Sequence, residues 1–369
     1  MKDKKISKRL LVAALAGTML FSAVMAGCGG DNKTDTGSKT TASSTAESKA
    51  SEESKDTAES NTSVESKDTA ESNTSEESKD TAESNTGEES KPTVPDPAAA
   101  SFKYEHDSDG GITIKKFIGK ETEVNIPSAI EGKAVTYIGG GAFYVRTGSI
   151  SVNIPESVTT INGSAFEDCA GLTSINFAEG LTSIYDFAFK DCTGLTSITF
   201  PNSLTFIGEY SFIGCKGLTS ITIPDGVTSI GECAFADCTG VISIDVGQGN
   251  SAYCSDNGIL FDKSKTCVQY YPTGKTGEYT IPDSVTSIGN YAFYDCEGLT
   301  GITIPDSVTS INRGGFCGCK GLTDVTIPDS VTSIEDYAFA LCDNLTLHGK
   351  SGSAAEAYAK ENDIPFAAE

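Results

Sequence analysis

The sequence predicts a β-rich solenoid, in which short strands and turn or 3₁₀ segments form coils of 23 residues that stack on one another. A small residue followed by Phe recurs with this spacing at Ala142-Phe143, Ala165-Phe166, Ala188-Phe189, Ser211-Phe212 and Ala234-Phe235, and again at Ala292-Phe293, Gly315-Phe316 and Ala338-Phe339. Cys follows the same period at Cys169, Cys192, Cys215, Cys238, Cys296, Cys319 and Cys342. Because a unit this short can bury its apolar residues only against its neighbours, such a period is typical of a solenoid.

The pattern inside a coil assigns a conformation to each of its parts. Residues 218–240 follow the pattern L-x-x-I-x-I-P-x-x-V-T-x-I-x-x-x-A-F-x-x-C-x-G. The alternating apolar residues of L-x-x-I-x-I predict a short strand, and the Pro ends it because Pro cannot donate to a strand ladder. A second extended piece is expected at V-T-x-I. The A-F pair then requires a compact turn or 3₁₀ segment, with the Phe ring directed into the core.

The repeat domain, residues 101–369, is expected to have eight such coils, a cap at each end and one insertion. Residues 102–127 alternate apolar and polar side chains and predict strands that cap the first coil. The C-terminal cap, 348–369, is expected to contain a helix at 353–362, with Ala354, Ala357 and Tyr358 on the face that covers the last coil.

The insertion, residues 247–281, separates the fifth Ala-Phe pair from the sixth. Residues 258–261 and 266–271 predict two strands of a β-hairpin that projects from the solenoid, joined by a turn at 262–265. Four tyrosines are concentrated in this segment, at Tyr253, Tyr270, Tyr271 and Tyr279. If they are exposed, they form a candidate binding surface, since Tyr is enriched at interfaces. The alternative is that they pack the hairpin onto the coil.

The first 100 residues predict export and attachment. Residues 1–27 have the basic start, apolar run and small-residue end of a signal peptide. The end of this run, Met25-Ala26-Gly27-Cys28, resembles the bacterial lipobox, which implies that Cys28 becomes the lipidated first residue of a lipoprotein, acylated with chains such as palmitate. Residues 28–100 are rich in Ser, Thr and Glu, contain 12-residue repeats, and are expected to form a disordered stalk.

Charge and residue usage exclude several functions. The formal net charge is −24, of which residues 101–369 contribute −18, so nucleic acid is not an expected partner. The two His residues, His106 and His348, lie near opposite ends of the repeat domain, so no catalytic site, zinc site or cofactor is predicted. The absence of Trp weakens a glycan-binding function.

Two periodic features leave alternatives open. The regular Cys residues are interpreted as small buried core residues, although disulfides or a thiolate metal ladder are the alternatives, and Cys233, Cys254, Cys267 and Cys317 lie outside the register. Asp168, Asp191, Asp237 and Asp295 each precede a regular Cys and are interpreted as a solvated polar row. A weak Ca²⁺ ladder is the alternative for this row.

The combination of L-x-x-I-x-I-P and A-F-x-x-C resembles the BspA-like leucine-rich-repeat family of bacterial surface proteins. The N-terminal strands, the hairpin insertion and the final GSAAEAYAKENDIPF are also similar to that family. The resemblance implies a right-handed leucine-rich-repeat coil and a non-enzymatic surface protein. It also implies adhesion to host matrix proteins, co-aggregation or stimulation of innate immune receptors. No ligand residues are carried over, because the family has no shared ligand signature.

The expected function is therefore a monomeric protein-binding or adhesion module on a lipid-anchored stalk, at the extracellular face of the bacterial membrane. The expected partners are host matrix, serum or other cell-surface proteins. The alternative is a cell-envelope structural or glycan-binding protein. An enzyme is not predicted.

Overall fold

The computed structural model describes residues 99–369, so the predictions for the signal peptide, for Cys28 and for most of the stalk lie outside the described residues. The first half contains β1 (Phe102–His106), β2 (Ile112–Phe117), β3 (Glu123–Asn125), β4 (Ala129–Ile130), β5 (Lys133–Ile138), β6 (Ile150–Ile154), β7 (Thr160–Ile161), β8 (Leu172–Phe177), β9 (Ser183–Ile184), β10 (Phe206–Ile207), β11 (Ser220–Ile223), β12 (Ser229–Ile230) and β13 (Ser243–Val246). The second half contains β14 (Tyr253–Asp256), β15 (Ile259–Asp262), β16 (Cys267–Tyr270), β17 (Gly277–Thr280), β18 (Ser287–Ile288), β19 (Leu299–Thr303), β20 (Ser310–Ile311), β21 (Asp324–Thr326), β22 (Ser333–Ile334), β23 (Thr346–Gly349), the helix α1 (Ala354–Asn362) and β24 (Phe366–Ala368).

The predicted solenoid is confirmed, and its coils pair through parallel strands. The V-T-x-I pieces lie in two ladders, β1-β2-β5-β7-β9-β10-β12 and β14-β15-β16-β18-β20-β22, which begin with the N-terminal strands and with the strands of the insertion. The L-x-x-I-x-I strands form smaller sheets such as β3-β6-β8. The Thr of V-T-x-I adds a side-chain bond to this pairing, as when the Thr182 hydroxyl donates to the Thr159 carbonyl at 3.1 Å. The solenoid has about 11 turns, more than the eight coils counted from the Ala-Phe pairs, because the N-terminal strands and the insertion supply turns without that marker.

A column of stacked Phe rings runs through the core and accounts for the Ala-Phe period. Ring centroids lie 4.5 to 5.7 Å apart in the first stack. Its members are Phe117, Phe143, Phe166, Phe189, Phe212 and Phe235. A second stack continues through Tyr271, Phe293, Phe316 and Phe339. Within each stack, most Phe amides also donate to the carbonyl of the small residue one coil later, as from Phe166 to Ala188 at 2.7 Å.

The predicted hairpin is present, but the prediction that it projects from the solenoid is wrong. Strand β15 pairs antiparallel with β16, as expected for a hairpin. Strand β16 then pairs in parallel with β18, so the second strand of the hairpin is itself a rung of the solenoid. Pairing with β18 buries the apolar side chains of β15 and β16, which a projecting hairpin would leave exposed to water.

Two tyrosines close the ends of the two Phe stacks. Tyr270 packs edge-on against Phe235, and its hydroxyl accepts the Ala234 amide at 2.9 Å and donates to the Gly231 carbonyl. Tyr358 of α1 packs in the same way against Phe339, and its hydroxyl accepts the Phe339 amide at 3.0 Å. The Tyr358 hydroxyl therefore takes the place of the next coil at the Phe339 amide. The Tyr270 hydroxyl instead bridges the Ala234 amide and the Gly231 carbonyl within one turn.

We predict that Tyr270→Phe and Tyr358→Phe each lower the free energy of unfolding by about 1–3 kcal/mol. Tyr358→Phe leaves the buried Phe339 amide without its partner, and Tyr270→Phe leaves the Ala234 amide with only its 3.4 Å bond to the Gly231 carbonyl. Urea unfolding measures this loss. Tyr337→Phe is the matched control, since Tyr337 is half-exposed and expected to change stability by less than about 0.5 kcal/mol. A loss of the same size in all three variants would contradict the capping role.

The C-terminal helix is confirmed, but its buried face is shifted by one position along the chain relative to the prediction. Ser353 is the N-cap residue of α1, and its hydroxyl accepts the Glu356 amide. The buried residues are Ala355, Tyr358 and Ala359, whereas Ala354, Ala357 and Tyr358 were expected. The position of the cap sets the rotation of the first turn, which the apolar pattern alone does not fix. Across residues 99–369, no helix has both the length and the apolar character needed to cross a membrane.

Candidate functional site

The regular Cys residues are part of the core and are not a reactive site. The thiols of Cys192, Cys215 and Cys238 each donate to the carbonyl of the Phe 26 residues earlier, at 3.1 Å. Cys319 and Cys342 repeat this contact in the second half. The interpretation of these residues as buried core positions is confirmed. All 11 Cys residues from Cys169 to Cys342 are free thiols.

Burial also makes these thiols poor nucleophiles. It raises the pKa of the Cys169 thiol to about 11 and that of Cys342 to about 12. The out-of-register Cys317 is likewise buried, and its pKa rises to about 12. Because the thiolate is the reactive form, thiols with pKa values this high are almost entirely unreactive at neutral pH. Burial therefore keeps Cys169, Cys317 and Cys342 in the unreactive thiol form at neutral pH.

The row of Asp residues is explained by backbone geometry. Asp168, Asp191, Asp237 and Asp295 have φ between 52° and 57°, in the left-handed region that Asp, Asn and Gly tolerate best. Gly214 occupies the same position in one of the coils between them, so the carboxylates do not form a continuous ladder. Among residues 99–369, no three His, Cys, Asp or Glu side chains converge to hold a metal ion.

Asp295 is the member of this row with the largest electrostatic perturbation. Burial raises its pKa from 3.8 to about 6, with Lys320 opposing the shift and Asp237 adding to it. Protonation therefore stabilises the folded state. This contribution is fully present below pH 3.8, decreases as the pH rises, and is lost above about pH 6.

We predict that Asp295→Asn raises the free energy of unfolding by about 1–2 kcal/mol at pH 7, after allowance for solvent screening, and by much less at pH 4. The amide is neutral and tolerates the left-handed backbone, so only the cost of the charge is removed. Urea unfolding at both pH values measures the difference. Asp306→Asn, at an exposed position, is expected to change nothing at either pH. An equal gain at pH 4 and pH 7 for Asp295→Asn would contradict the electrostatic cause.

The four tyrosines of the insertion pack the segment onto the coils. Tyr270 and Tyr271 are only 8% and 5% exposed, so the expectation that they form an exposed surface is wrong for both. The Tyr253 hydroxyl accepts the Ile230 amide at 3.0 Å. Tyr279 is half-buried, with its ring 5.2 Å from that of Tyr271. Adjacent coils need aromatic filling where the Phe column is interrupted, and these rings supply it.

A group of four aromatic side chains that keep exposed surface lies in other coils. Tyr185 and Phe206 are neighbours on adjacent coils, with ring centroids 5.4 Å apart, and Phe187 stacks on Tyr210 at 5.2 Å. Tyr185 is 44% exposed and the other three are half-buried. We call these four residues the aromatic quartet. The sequence contained a signal for Tyr185 and Phe206, which replace small or polar residues of the repeat pattern. Phe187 and Tyr210 lie at a position that also holds Tyr291 and Tyr337 and gave no such signal.

A cleft lies further along the same V-T-x-I and turn region, where the first strand ladder ends at β12 and the second continues through β16. Its volume is about 210 Å³. Its polar lining consists of Glu232, Gln269, Asn290 and Asn312, and the ring of Tyr270 also contributes. The Asn290 amide donates to the Glu232 carboxylate at 2.8 Å. We call this site the ladder-break cleft. It combines one carboxylate with three carboxamides.

The two His residues do not take part in either feature. His106 lies 3.3 Å from Glu131 in the N-terminal cap, and His348 lies 3.0 Å from Asp324 beside β21. Within residues 99–369, neither His is joined to a Ser or Cys in the hydrogen-bonded arrangement that nucleophilic catalysis requires. The described surface is suited to binding through aromatic contact and hydrogen bonds.

A stack of regular coils with its unusual side chains at the surface is a protein-interaction scaffold, since repeats of this class present an extended binding surface. The family model for the BspA type leucine-rich-repeat region matches residues 118–250 and 268–349, with six copies. The chain belongs to this family. The gap in the match falls within the insertion.

Solved structures with the same repeat come from several bacteria. A leucine-rich-repeat protein from Eubacterium ventriosum is 30% identical over 68% of this chain and 70% of its own, with a TM-score of 0.57. The leucine-rich-repeat protein of T. pallidum is 28% identical over 61% of this chain and 89% of its own, with a TM-score of 0.43. A leucine-rich cell-surface protein from Faecalibacterium prausnitzii is 24% identical over 73% of this chain and 93% of its own, with a TM-score of 0.40. A search of curated protein sequences gave no match.

Proposed function

We propose that this protein is a cell-surface adhesion module, in which the solenoid binds host or neighbouring-cell proteins and a stalk attached through lipidated Cys28 displays it outside the bacterial membrane. Membership of the BspA-type family supports a protein-interaction role. The observation that carries the proposal is the aromatic quartet, which leaves large apolar side chains in contact with water on adjacent coils. Exposed aromatic side chains grouped in this way are typical of protein-binding surfaces.

The packing of the coils supports a binding role over an enzymatic one. The residues that repeat, Phe and Cys, are committed to the core through ring stacking and thiol hydrogen bonds. The side chains that differ between coils lie on the turns and on the V-T-x-I ladders, outside the core, where they are free to be selected for a partner. A scaffold of this kind changes its ligand through surface substitutions without losing its fold.

An adhesion assay on cells tests this function. Bacteria that display the full chain should adhere to surfaces coated with matrix or serum proteins, and protease treatment of the coating should abolish adhesion. Cells that display the same chain without residues 99–369 are the matched control and should not adhere. Adhesion to protein-free cell-wall glycan alone would contradict the proposal and favour the glycan-binding alternative. Equal adhesion of the control cells would assign binding to the stalk.

A further inference from the structure

The ladder-break cleft has the composition of a site for a cation. Glu232 contributes a half-buried carboxylate, and Gln269, Asn290 and Asn312 contribute amide oxygens that can accept from an ammonium or guanidinium group. The Asn290 side chain already donates to Glu232 and so fixes the position of the carboxylate. None of the ion pairs found in residues 99–369 includes Glu232.

The charges around the cleft favour the same kind of ligand. Glu209 occupies the position equivalent to Glu232 in the preceding coil and is exposed. Asp186 is equivalent one coil earlier, where its carboxylate accepts the Glu209 amide at 2.8 Å. Arg313 is the basic residue of this row and lies beyond Asn290, on the side of the cleft away from these acids. The surface between the aromatic quartet and the cleft therefore carries negative charge.

The size of the cleft limits what it can hold. Its volume of about 210 Å³ is below the range of about 300–1,000 Å³ that is usual for pockets that take small-molecule ligands or cofactors. It is sufficient for the end of one long side chain. The aromatic quartet offers the neighbouring contact area that a longer ligand would need.

We infer that the ladder-break cleft binds the Lys or Arg side chain of an extended polypeptide segment of the partner protein, with Glu232 as the counter-charge and the aromatic quartet as the adjoining contact surface. This inference rests on the proposed function and specifies the chemistry of the partner. Coils repeat at about 4.8 Å and an extended chain advances about 3.3 Å per residue, so a segment lying along the stack can reach both features. Cation–π contact with the quartet would add to the binding of a second basic residue.

Fluorescence anisotropy on the full chain in a neutral detergent tests the inference with a defined probe. The probe is a fluorescein-labelled peptide that alternates Gly with Lys and Tyr, and its counterpart carries Nε-acetyl-lysine at every Lys. Glu232→Gln should weaken binding of the Lys peptide about fivefold, because it removes the counter-charge and keeps the hydrogen-bond acceptor. Gln269→Glu should strengthen binding by a similar factor, a gain that misfolding cannot produce.

A matched control is needed because a chain with a net charge of −24 attracts any polycation. Glu156→Gln changes the net charge equally at an exposed position in another coil and should leave affinity within about twofold. Equal weakening by Glu232→Gln and Glu156→Gln would overturn the inference, as would equal affinity for the acetylated peptide. Displacement of the Lys peptide by spermidine at the same charge concentration would show a site for free amines and would also overturn it.

The outcome is separable from that of the proposed function. If cells adhere to protein-coated surfaces but Glu232→Gln leaves both adhesion and peptide affinity unchanged, the cleft is not the site and the adhesion function stands. If cells do not adhere to any protein, the proposed function fails, whatever the affinity for the probe peptide.

Discussion

Phe212→Ala is expected to destabilise the repeat domain by about 3–5 kcal/mol, which is a large part of the stability of an ordinary domain. Phe212 has no exposed surface, and its ring lies 5.0 Å from Phe189 and 5.7 Å from Phe235 in the core column. Its amide also donates to the Ala234 carbonyl. Removing the ring leaves a cavity between two coils, and the stacked backbone prevents the neighbours from filling it. Urea unfolding followed by circular dichroism measures the loss.

Phe206→Ala is the control for Phe212→Ala, because it removes the same side chain from a half-exposed position on an adjacent part of the same coil. We expect it to cost less than about 1 kcal/mol, since little cavity forms at the surface. Similar losses in the two variants would contradict the view that the Phe column, and not aromatic content in general, holds the coils together.

Cys28→Ser is expected to move the protein from the membrane fraction to the soluble or secreted fraction, because the hydroxyl cannot take the thioether-linked lipid that the lipobox predicts. Each buried CH₂ of an acyl chain contributes about 0.8 kcal/mol to membrane binding, so the loss of two or more chains should be close to complete. Fractionation of cells expressing the full chain measures the distribution, and metabolic labelling with a fatty acid measures the modification.

Cys254→Ser is the matched control for the anchoring test, since Cys254 is a half-buried thiol of the insertion. This variant should stay in the membrane fraction and keep its lipid label. Retention of Cys28→Ser in the membrane fraction would contradict lipid attachment at this residue.

The period of the sequence was sufficient to predict the core. A residue that recurs every 23 positions has the same neighbours in every coil, so the burial of Phe212 and of Cys215 follows from the stacking. The Asp row was also open to prediction, because Asp and Gly share a position where the backbone is left-handed. The turn position directly before each small-residue–Phe pair also has a left-handed backbone, but the sequence did not predict it. This position holds Phe187 and Tyr210, and such residue types rarely adopt positive φ.

The insertion shows where prediction from local pattern ended. The pattern was sufficient for the hairpin of β15 and β16, because the two strands are close in sequence. The parallel pairing of β16 with β18 depends on the edge that the next coil presents, and this pairing buries Tyr270 and Tyr271. Similarly, the aromatic quartet was missed because a consensus retains what coils share, and a binding surface is formed by the residues in which they differ.

The most direct test of the protein-binding function uses the purified repeat domain, residues 99–369, on a column challenged with matrix, serum and cell-wall fractions. We expect retention of discrete proteins that saturates, that is competed by the free domain and that protease treatment of the fraction abolishes, with no chemical change in the retained proteins. Retention of glycan alone, or turnover of a substrate that a point substitution in the domain abolishes, would contradict the conclusion that this solenoid is a protein-binding module.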